Sequence, residues 1–440
     1  MLAARCICDH FLALARVVCE PQLLRMKSSL LAVALLLAIS PMSQAMFAMP
    51  QPVPVDRIVK NTEAKLARNP GDNETRYQLA RVHYLAFALK KDSLGAYSRG
   101  EKETTAENVA AKDFQQMGAK QAGRMSQAVA VAHAGKAAEL FQQVIKKDDR
   151  HALAHLGMGS LLEQFADEAA KSPPKEIPAT LAQRDGATIR RHYEKAFEQA
   201  WKKDRDAKHQ GIRGLADFVS YEAAQSFLRS AKADDGKLTD EEKENMRWMA
   251  DAVKKLEALQ MGAITPLVFS MHPAPSLDAL LAPEVAVEFD LRGFGTKERW
   301  PWLRADAGVL VWDPEGSGHI TSARQMFGSY SWQLFWRNGF DALAALDDDG
   351  DGWLRGGELT GISVWFDRNQ DAISDPGEVT SLSALGITGL ACAAPEHDGP
   401  HPLNRSGIER RDGSKLPMWD WIVAPLPPFP GGNPIADRRP

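Results

Sequence analysis

The sequence predicts a multidomain protein in which an all-α region of helical hairpins precedes a small mixed α/β region. Residues 55–262 are rich in Ala, Lys, Glu, Gln and Leu, and their apolar side chains recur with the period of a helix. From Val285 the pattern changes to short β-like runs separated by glycine turns. The prolines of Ile264–Pro283 indicate a boundary between the two regions.

The first 45 residues have the pattern of an export signal. From Met26 the chain has a lysine, a ten-residue apolar core and a small-x-small end at Ser43 and Ala45, which predicts a signal peptide cleaved near Ala45. Residues 1–25 are then interpreted as an upstream extension that is not native. The alternative is an N-terminal membrane anchor, although the apolar core is short for a membrane span. We expect an exported protein, periplasmic or secreted, with no membrane segment after cleavage.

Cysteine and charge usage narrow the function classes. Three of the four cysteines lie in the predicted leader and only Cys392 follows it, so no disulfide can form within one mature chain. Without residues 1–45 the chain has 49 basic and 55 acidic side chains. The stretch Leu346–Val379 contains nine acids and two arginines, so the remainder is close to neutral. No basic surface for nucleic acid is predicted.

Two segments of the helical region resemble tetratricopeptide repeats. Lys136–Leu162 contains a helix, a charged turn and a second helix, with Phe141 and Gly159 at the offsets of such repeats. His192–Phe218 has the same arrangement, with Phe197 as the aromatic residue. These two aromatic residues are 56 positions apart, whereas the family period is about 34. The resemblance implies a TPR-like surface for protein binding, and an unrelated helical bundle is the alternative.

Local signals predict the remaining elements. Thr239–Glu242 is a capping box that starts a helix. VAVEFDL and AGVLVWD are typical of strands, and GIERRDGSKLPMWDWIV predicts a hairpin turned at Asp412 and Gly413. The predicted domains are an upstream extension 1–25, a signal peptide 26–45, a TPR-like helical domain 55–262, a proline-rich linker 263–284, a second domain 285–423 and a disordered tail 424–440.

The sequence LDDDGDGWLRGGEL has acidic residues at the spacing of a calcium-binding loop. Such a loop supplies oxygen ligands from positions 1, 3, 5, 7, 9 and 12 and has a flexible residue at position 6. Counted from Asp347, position 6 is Gly352 and position 9 is Arg355, where a water commonly serves. Asn338–Leu346 is the predicted entering helix. The predicted ligands are Asp347, Asp349, Asp351, the carbonyl of Trp353, and Glu358.

A second acidic ladder begins twenty residues later. Ala372 stands at its position 6, where a left-handed backbone costs a non-glycine residue about 1 kcal/mol, so we expect a weaker site. The oxygen ligands favour calcium over zinc or copper, and two ions would supply +4 against the local charge of −7. The predicted ligands are Asp367, Asn369, Asp371, the carbonyl of Ile373, Asp375 and Glu378.

The connector between the ladders is short. Only eight residues, LTGISVWF, separate Glu358 from Asp367, and two complete helix-loop-helix units do not fit in this length. Val364, Trp365 and Phe366 are expected to pack inward. A sensor that opens a helix pair is therefore disfavoured, and calcium is predicted to act as a structural staple.

The segment Phe289–Leu390 resembles the EF-hand-type calcium modules of large secreted bacterial proteins such as haemolysin-like toxins and adhesins. The resemblance rests on FDL, GVLVWD, MFG, NGFDALAALDDDGDG and VWFDRNQDAISDPGEVTSLSALGI. It implies an EF-hand-like module with structural calcium sites and no catalysis. The sequence departs from it at Arg292 and Phe294, and at Asp313–Arg324, where an arginine replaces the last acid. We interpret both as vestigial loops, with metal at Asp313 as an alternative.

Two functions remain after known motifs are considered. HExxH, GxSxG, P-loop and dinucleotide-binding glycine patterns are absent from the sequence. His151 and His155 are interpreted as solvated histidines rather than metal ligands. The tryptophans Trp312, Trp332, Trp336, Trp419 and Trp421 are interpreted as core residues, with a carbohydrate or peptide groove as the alternative. The first hypothesis is an exported, non-enzymatic calcium-binding scaffold whose helical region binds another protein. The alternative is a secreted enzyme or inhibitor with an unrecognised site, stabilised by calcium.

Overall fold

A computed structural model describes residues 53–94, 125–206, 215–234, 237–257, 264–291 and 297–426. All of these residues fall within one compact unit, Pro50–Pro440. The predicted upstream extension, the signal peptide, the Arg292 and Phe294 loop and the tail beyond residue 426 lie outside the described residues.

The first part of the chain is helical, as the sequence predicts. A short strand pair, β1 (Val53–Pro54) with β2 (Ser93–Leu94), flanks its first two helices. In the described part of the chain, no helix is long and apolar enough to cross a membrane. The helices that precede the sheet are α1 (Val55–Arg68), α2 (Asn73–Leu89), α3 (Gln127–Lys147), α4 (Ala152–Lys171), α5 (Gly186–Asp206), α6 (Leu215–Ala233) and α7 (Asp240–Glu257).

Consecutive helices pack where glycines admit aromatic rings. Gly157 of α4 lies against the Phe141 ring of α3, and a Cβ at this glycine would clash with the ring. Gly159 instead faces Tyr193 of α5. Phe141, Tyr193 and Phe197 are fully buried. The sequence thus identified Phe141 and Phe197 but not Tyr193, and Gly159 permits the approach of α5 rather than of the paired α3.

The predicted capping box starts α7. Thr239 N donates to Glu242 Oε2 at 2.8 Å, and Glu242 N donates to Thr239 Oγ1 at 3.1 Å. The same glutamate accepts from Arg190 Nε at 2.6 Å. One side chain therefore satisfies the free amide at the helix start and ties α7 to α5.

The second part of the chain is largely antiparallel β-sheet. Its one α-helix among the described residues is α8 (Gly339–Ala344), which lies in the predicted entering helix. Asn338 caps its start, since Asn338 Oδ1 accepts from Asp341 N at 3.0 Å. The strands are β3 (Leu267–Ser270), β4 (Leu281–Phe289), β5 (Glu298–Leu303), β6 (Ala307–Trp312), β7 (Trp353–Arg355), β8 (Ile362–Trp365), β9 (Val379–Ser381), β10 (Ile387–Ala391), β11 (Glu396–Asp398), β12 (His401–Arg410) and β13 (Lys415–Asp420).

Two sheets contain these strands. β4 and β5 pair with each other. The nine-stranded sheet has the order β7-β10-β12-β13-β3-β6-β8-β9, with β11 beside β12. All residues of β6 and β8 are buried, which confirms that the connector between the acidic ladders packs inward. The tryptophans expected in the core are all buried, namely Trp312, Trp332, Trp336, Trp419 and Trp421.

The prediction of a mixed α/β, EF-hand-like fold is wrong for this region. Glu358 lies in a 3-10 turn (Gly356–Leu359) that is followed by β8, and after Glu378 the chain enters β9, so neither ladder leads into an α-helix. The physical reason is that the connector is rich in β-branched and aromatic residues, and it pairs with β6 and β9. β3, which lies in the segment predicted as a linker, pairs with β13 and β6.

Arg81 of α2 joins the helices to the sheet. Its Nε donates to Gln333 O at 2.8 Å, and its guanidinium lies 3.9 Å from the centre of the Phe335 ring. Trp332, Gln333 and Phe335 all have positive φ, a conformation that costs each non-glycine residue about 1–2 kcal/mol. The contacts of Arg81 therefore help to hold a strained segment in place.

Asp420 is a fully buried carboxyl group beside the start of α8. Its Oδ1 accepts from Gly339 N at 2.9 Å, whereas Oδ2 has no partner among the described residues. Burial raises the pKa of Asp420 to about 8, and the nearby Asp341 carboxylate acts in the same direction. The side chain is therefore mostly protonated at neutral pH.

We expect Asp420→Asn to flatten the pH dependence of stability. Because the pKa is raised on folding, the stability contributed by the neutral carboxyl is complete below about pH 4. It is lost as the pH rises towards 8, at about 1.4 kcal/mol per pH unit. The asparagine stays neutral, so urea denaturation between pH 5 and 8 should show a smaller loss. The exposed Asp306→Asn is the control, and equal slopes in both variants would contradict the assignment.

Candidate metal centre

Three carboxylates converge in the segment Asp347–Glu358, here called the first acidic loop. The ligating oxygens of Asp347, Asp349 and Asp351 all lie within 4.8 Å of one another. Asp347 is buried, and the other two are exposed. Carboxylate oxygens at this spacing could hold a metal ion.

Backbone amides close the first acidic loop around its first and last acids. Asp347 accepts from Gly350 N at 2.6 Å and from Gly352 N at 3.1 Å. Glu358, at the twelfth position, accepts from Asp348 N at 2.7 Å and from the backbone N of the ninth position at 2.9 Å. Both acids therefore face the interior of the loop.

The segment Asp367–Glu378, here called the second acidic loop, repeats this arrangement. Asp367 accepts from Ala372 N at 2.8 Å, as Asp347 does from the residue at the same position. Glu378 accepts from Arg368 N at 2.7 Å and from Asp375 N at 3.1 Å, again from the second and ninth positions. The two loops thus have equivalent backbone contacts to their first and twelfth acids.

Side chains of the second acidic loop also converge. Asn369 Nδ2 donates to Asp371 Oδ2 and to Asp375 Oδ2, both at 3.0 Å. The third, fifth and ninth positions therefore meet, as the predicted ligand set requires. The two residues at the carbonyl position differ in exposure. Ile373 is 56% exposed, whereas Trp353 of the first loop is half-buried at the start of β7.

Two buried indoles contact acids of the second acidic loop. Trp302 Nε1 donates to Asp367 Oδ2 at 2.6 Å, and Trp365 Nε1 lies 3.3 Å from Glu378 Oε2. From the sequence, Trp365 is expected only to pack inward and Trp302 is not singled out, so these contacts were not predicted. No local pattern could have revealed the first of them, because Trp302 and Asp367 are 65 positions apart.

Positions 4 and 6 have a left-handed backbone in both acidic loops and in the vestigial Asp313–Arg324 loop. The residues are Gly316 and Gly318, Gly350 and Gly352, and Gln370 and Ala372. Glycine adopts this conformation without steric cost, whereas a side chain costs about 1 kcal/mol. The second acidic loop therefore has the strain expected at Ala372 and a further strained position at Gln370.

The vestigial loop is closed by hydrogen bonds of its own. Asp313 accepts from Ser317 N and Gly318 N, each at 2.9 Å. Ile320 N donates to Ser374 Oγ at 2.9 Å, which joins this loop to the second acidic loop. Its twelfth position is an arginine, so it lacks the final carboxylate of the other two loops.

Burial makes the charged state of the loop carboxylates costly. Burial raises the pKa of Asp347, and the negative charges of Glu358 and Asp351 raise it further. The pKa of Asp367 is raised in the same way by burial and by Glu378. A bound cation would offset both causes. The donor atoms are oxygens, they converge, and burial makes their charged form costly. All three properties fit a divalent cation.

One face of α1 contacts the first acidic loop. The side chains on this face are Arg57, Asn61, Lys65 and Arg68. Lys65 Nζ donates to Asp341 Oδ1 at 3.0 Å, and Arg68 Nη1 donates to Gly350 O. No motif in the sequence indicated that these residues contact the loop. Their spacings of four, four and three nevertheless place them on one face of the helix.

Two of these side chains contact Asp348, which is not a predicted ligand. Arg57 Nε and Asn61 Nδ2 donate to Asp348 Oδ1 at 2.9 and 2.8 Å. The buried Asn61 also donates to Ala345 O at 3.0 Å, and Arg57 Nη2 donates to Leu346 O at 2.9 Å. The helical region therefore positions the start of the first acidic loop.

Comparisons with known proteins concern the sheet region. Residues 278–424 match the family model of the SPM domain. The chain is also 32% identical, over 146 residues, to the iron-regulated protein FrpA of Neisseria meningitidis serogroup C. That alignment covers 31% of the chain and 13% of the relative, so the chain spans a small share of the relative's length.

The resemblance to EF-hand-type modules preceded by a TPR-like region is therefore wrong. The matching family is the SPM domain, and the region around the loops is largely antiparallel sheet. The resemblance was suggested by the spacing of acids, which is a local property. That spacing does not determine the elements that surround the loops. For the helical region the structure establishes packed consecutive helices, and we do not assign it to the tetratricopeptide family.

We expect Asn61→Ala to destabilise the protein by about 1–3 kcal/mol. The variant leaves the carbonyl of Ala345 without its donor and removes a contact to Asp348, and an unsatisfied buried polar group has a cost of this order. Urea denaturation measures the change. Glu63→Ala, at an exposed position of the same helix, is the control. A loss no larger than that of the control would show that α1 does not stabilise the loop.

Proposed function

We propose that the protein is an exported, non-enzymatic calcium-binding scaffold in which two calcium ions act as structural staples. The observation that carries this proposal is the equivalence of the two acidic loops. In each loop, backbone amides turn the first and twelfth carboxylates inward, next to the side chains of the third and fifth positions. Such an arrangement supports cation binding better than an acidic turn exposed to solvent.

The donor set supports calcium as the ion. The predicted ligands are carboxylate, amide and carbonyl oxygens, whereas zinc and copper favour nitrogen and sulfur. Five or more oxygens per loop suit the coordination number of six to eight that calcium takes. Outside the cytoplasm calcium is abundant enough that sites with dissociation constants of about 10⁻⁴ to 10⁻³ M are used by extracellular modules. The second acidic loop can therefore still bind calcium despite its strained backbone.

The elements around the loops support a staple rather than a switch. Both loops lead into strands of one sheet, and β8 between them lies in the sheet interior. No helix pair follows either loop within the described residues, so the ions have no such pair to open. The first acidic loop also contacts α1 through Arg57 and Asn61. An ion there would strengthen the contact between the helical region and the sheet.

A protein partner is proposed for the helical region. It has three large apolar side chains with notable exposure among the described residues, Val129, Ile177 and Trp248. Trp248 packs edge-on against Phe197 and is 36% exposed. Exposed aromatic residues with one buried edge are common anchors in protein interfaces.

The alternative, a secreted enzyme or inhibitor, would require a pocket that combines aromatic and carboxylate groups. A cavity of about 560 Å³ in the helical region is lined by Phe87, Phe165 and Glu168. Glu168 Oε2 lies 2.9 Å from Lys90 Nζ. A carboxylate held in an ion pair is a poor general base, which favours the scaffold.

We expect chelation of calcium to lower the melting temperature, and calorimetric titration to give two ions per chain. Binding at a thousand times the dissociation constant stabilises a protein by about 4 kcal/mol per site. Glu358→Gln and Glu378→Gln should each weaken one site by at least about tenfold, because each removes a bidentate carboxylate ligand. Thermal melting with and without chelator provides an independent measure.

The exposed Glu284→Gln, which lies in β4 outside the loops, is the matched control. It should bind and melt like the unmodified protein. If neither chelator nor Glu358→Gln alters the melt, calcium is not a staple. A stoichiometry of three would instead assign an ion to the vestigial Asp313–Arg324 loop.

Export is supported by the sequence of Met26–Ala45. We expect expression from Met26 to yield a chain whose amino terminus lies near Met46 in the periplasmic or extracellular fraction, because signal peptidase cleaves after the small-x-small end. Amino-terminal sequencing of the fractionated protein measures this. Replacing Ala45 with a bulky residue should block cleavage. An intact leader on unmodified protein would favour a membrane anchor.

A further inference from the structure

Four histidines of the helical region form two close pairs between neighbouring helices. His83 Nδ1 of α2 lies 2.8 Å from His133 Nδ1 of α3. His155 Nδ1 of α4 lies 3.1 Å from His192 Nδ1 of α5. At these distances one nitrogen must donate a proton and the other must accept it. Each pair therefore makes a hydrogen bond only while exactly one of its two Nδ1 atoms is protonated.

The surroundings determine which ring donates. His155 Nε2 lies 3.0 Å from the carbonyl oxygen of Asp149, and because a carbonyl only accepts, this nitrogen has the proton. Neutral His155 then has an unprotonated Nδ1, so His192 is the donor. In the other pair, His83 Nε2 is buried without a partner among the described residues. A buried N–H without an acceptor is rarer than an unpaired acceptor, so His83 donates from Nδ1.

The pairs lie where an added charge is poorly solvated. His83 and His155 are 7% and 6% exposed, which corrects the expectation that His155 is solvated. Burial lowers the pKa of His83 to about 4 and that of His192 to about 4, and each pair partner adds to the effect. Burial also lowers the pKa of His133 and of His155.

Charged groups around the pairs act in both directions. Lys136 disfavours and Asp56 favours a positive charge on the first pair. The groups that face the second pair are Arg191, Lys195 and His151, which disfavour the charge, and Asp149, which favours it. The pKa of each histidine is lowered despite the two aspartates, so burial is the larger effect.

We propose that the two histidine pairs form a proton-sensitive clasp, which joins α2 to α3 and α4 to α5 in neutral solution and releases both contacts in acidic solution. A proton added to the accepting Nδ1 makes both Nδ1 atoms donors and removes the hydrogen bond. A further proton on the other ring places two like charges together, so attraction is replaced by repulsion. Since the pKa values are lowered on folding, the stabilisation is complete above about pH 6.5. It is lost as the pH falls from 6.5 towards 4. The clasp is independent of calcium.

Imidazole ¹⁵N spectra of the full chain test the clasp directly. We expect His155 as the Nε2–H tautomer and His192 as the Nδ1–H tautomer at neutral pH. We also expect all four paired histidines to titrate below the usual pKa of histidine, with His83 and His192 at about 4. Titration of the pairs at the usual pKa of histidine, or the opposite tautomers, would overturn the proposal. This measurement needs no substitution.

Hydrogen exchange measures the consequence for the helices. Lowering the pH from 6 to 5 should raise the opening constants of α2–α3 and α4–α5, corrected for intrinsic exchange, by up to about tenfold for each histidine that takes up a proton on opening. The double variants His83→Asn with His133→Asn, and His155→Asn with His192→Asn, keep a donor and an acceptor near the Nδ1 positions but do not titrate. Each should remove the increase for its own helix pair.

His272→Asn is the control for these variants and should retain the full increase. An unchanged pH dependence in the double variants would contradict the clasp. Should a double variant fail to fold, the tautomers and titration midpoints of the unmodified chain decide the question.

Discussion

Repulsion among the carboxylates of the first acidic loop is the constraint on which the arrangement of the protein depends. The ligating oxygens of three aspartates lie within 4.8 Å of one another, and like charges at such distances repel one another. Backbone amides of the loop offset part of this, and α1 supplies Arg57 and Asn61 to the adjacent Asp348. The acidic loop is thus also the place where the helical region and the sheet meet.

The two ends of this contact are supported differently. On the helical side, the contacting residues lie on one face of α1, because they are four or three positions apart. They are Arg57, Asn61, Lys65 and Arg68. On the sheet side, α8 is short, and its start is held by its Asn338 cap and by the buried Asp420. Arg81 adds a second contact through Gln333 and Phe335, where the backbone is strained. Electrostatics and packing therefore act together at one interface.

Much of the candidate site could be predicted because its information is local. The spacing of acids from Asp347 and Asp367 determines which side chains can converge, and glycine at position 6 reports the left-handed turn. The capping residues Thr239 and Asn338 likewise act over three positions. The family resemblance failed because it extended this local spacing to the surrounding elements. The eight-residue connector is equally compatible with an inward-packed turn and with a strand.

What the sequence determined by itself is the helical character of the first region, the capping box at Thr239, the buried positions Phe141 and Phe197 and the two ladders of acids, since each depends on neighbours a few positions away. The tertiary structure decided that the connector is a strand between β6 and β9, that Trp302 donates to Asp367, and that Asn61 meets Asp348. These last two residues are 287 positions apart. Their contact arises from packing of the whole chain, which no local pattern encodes.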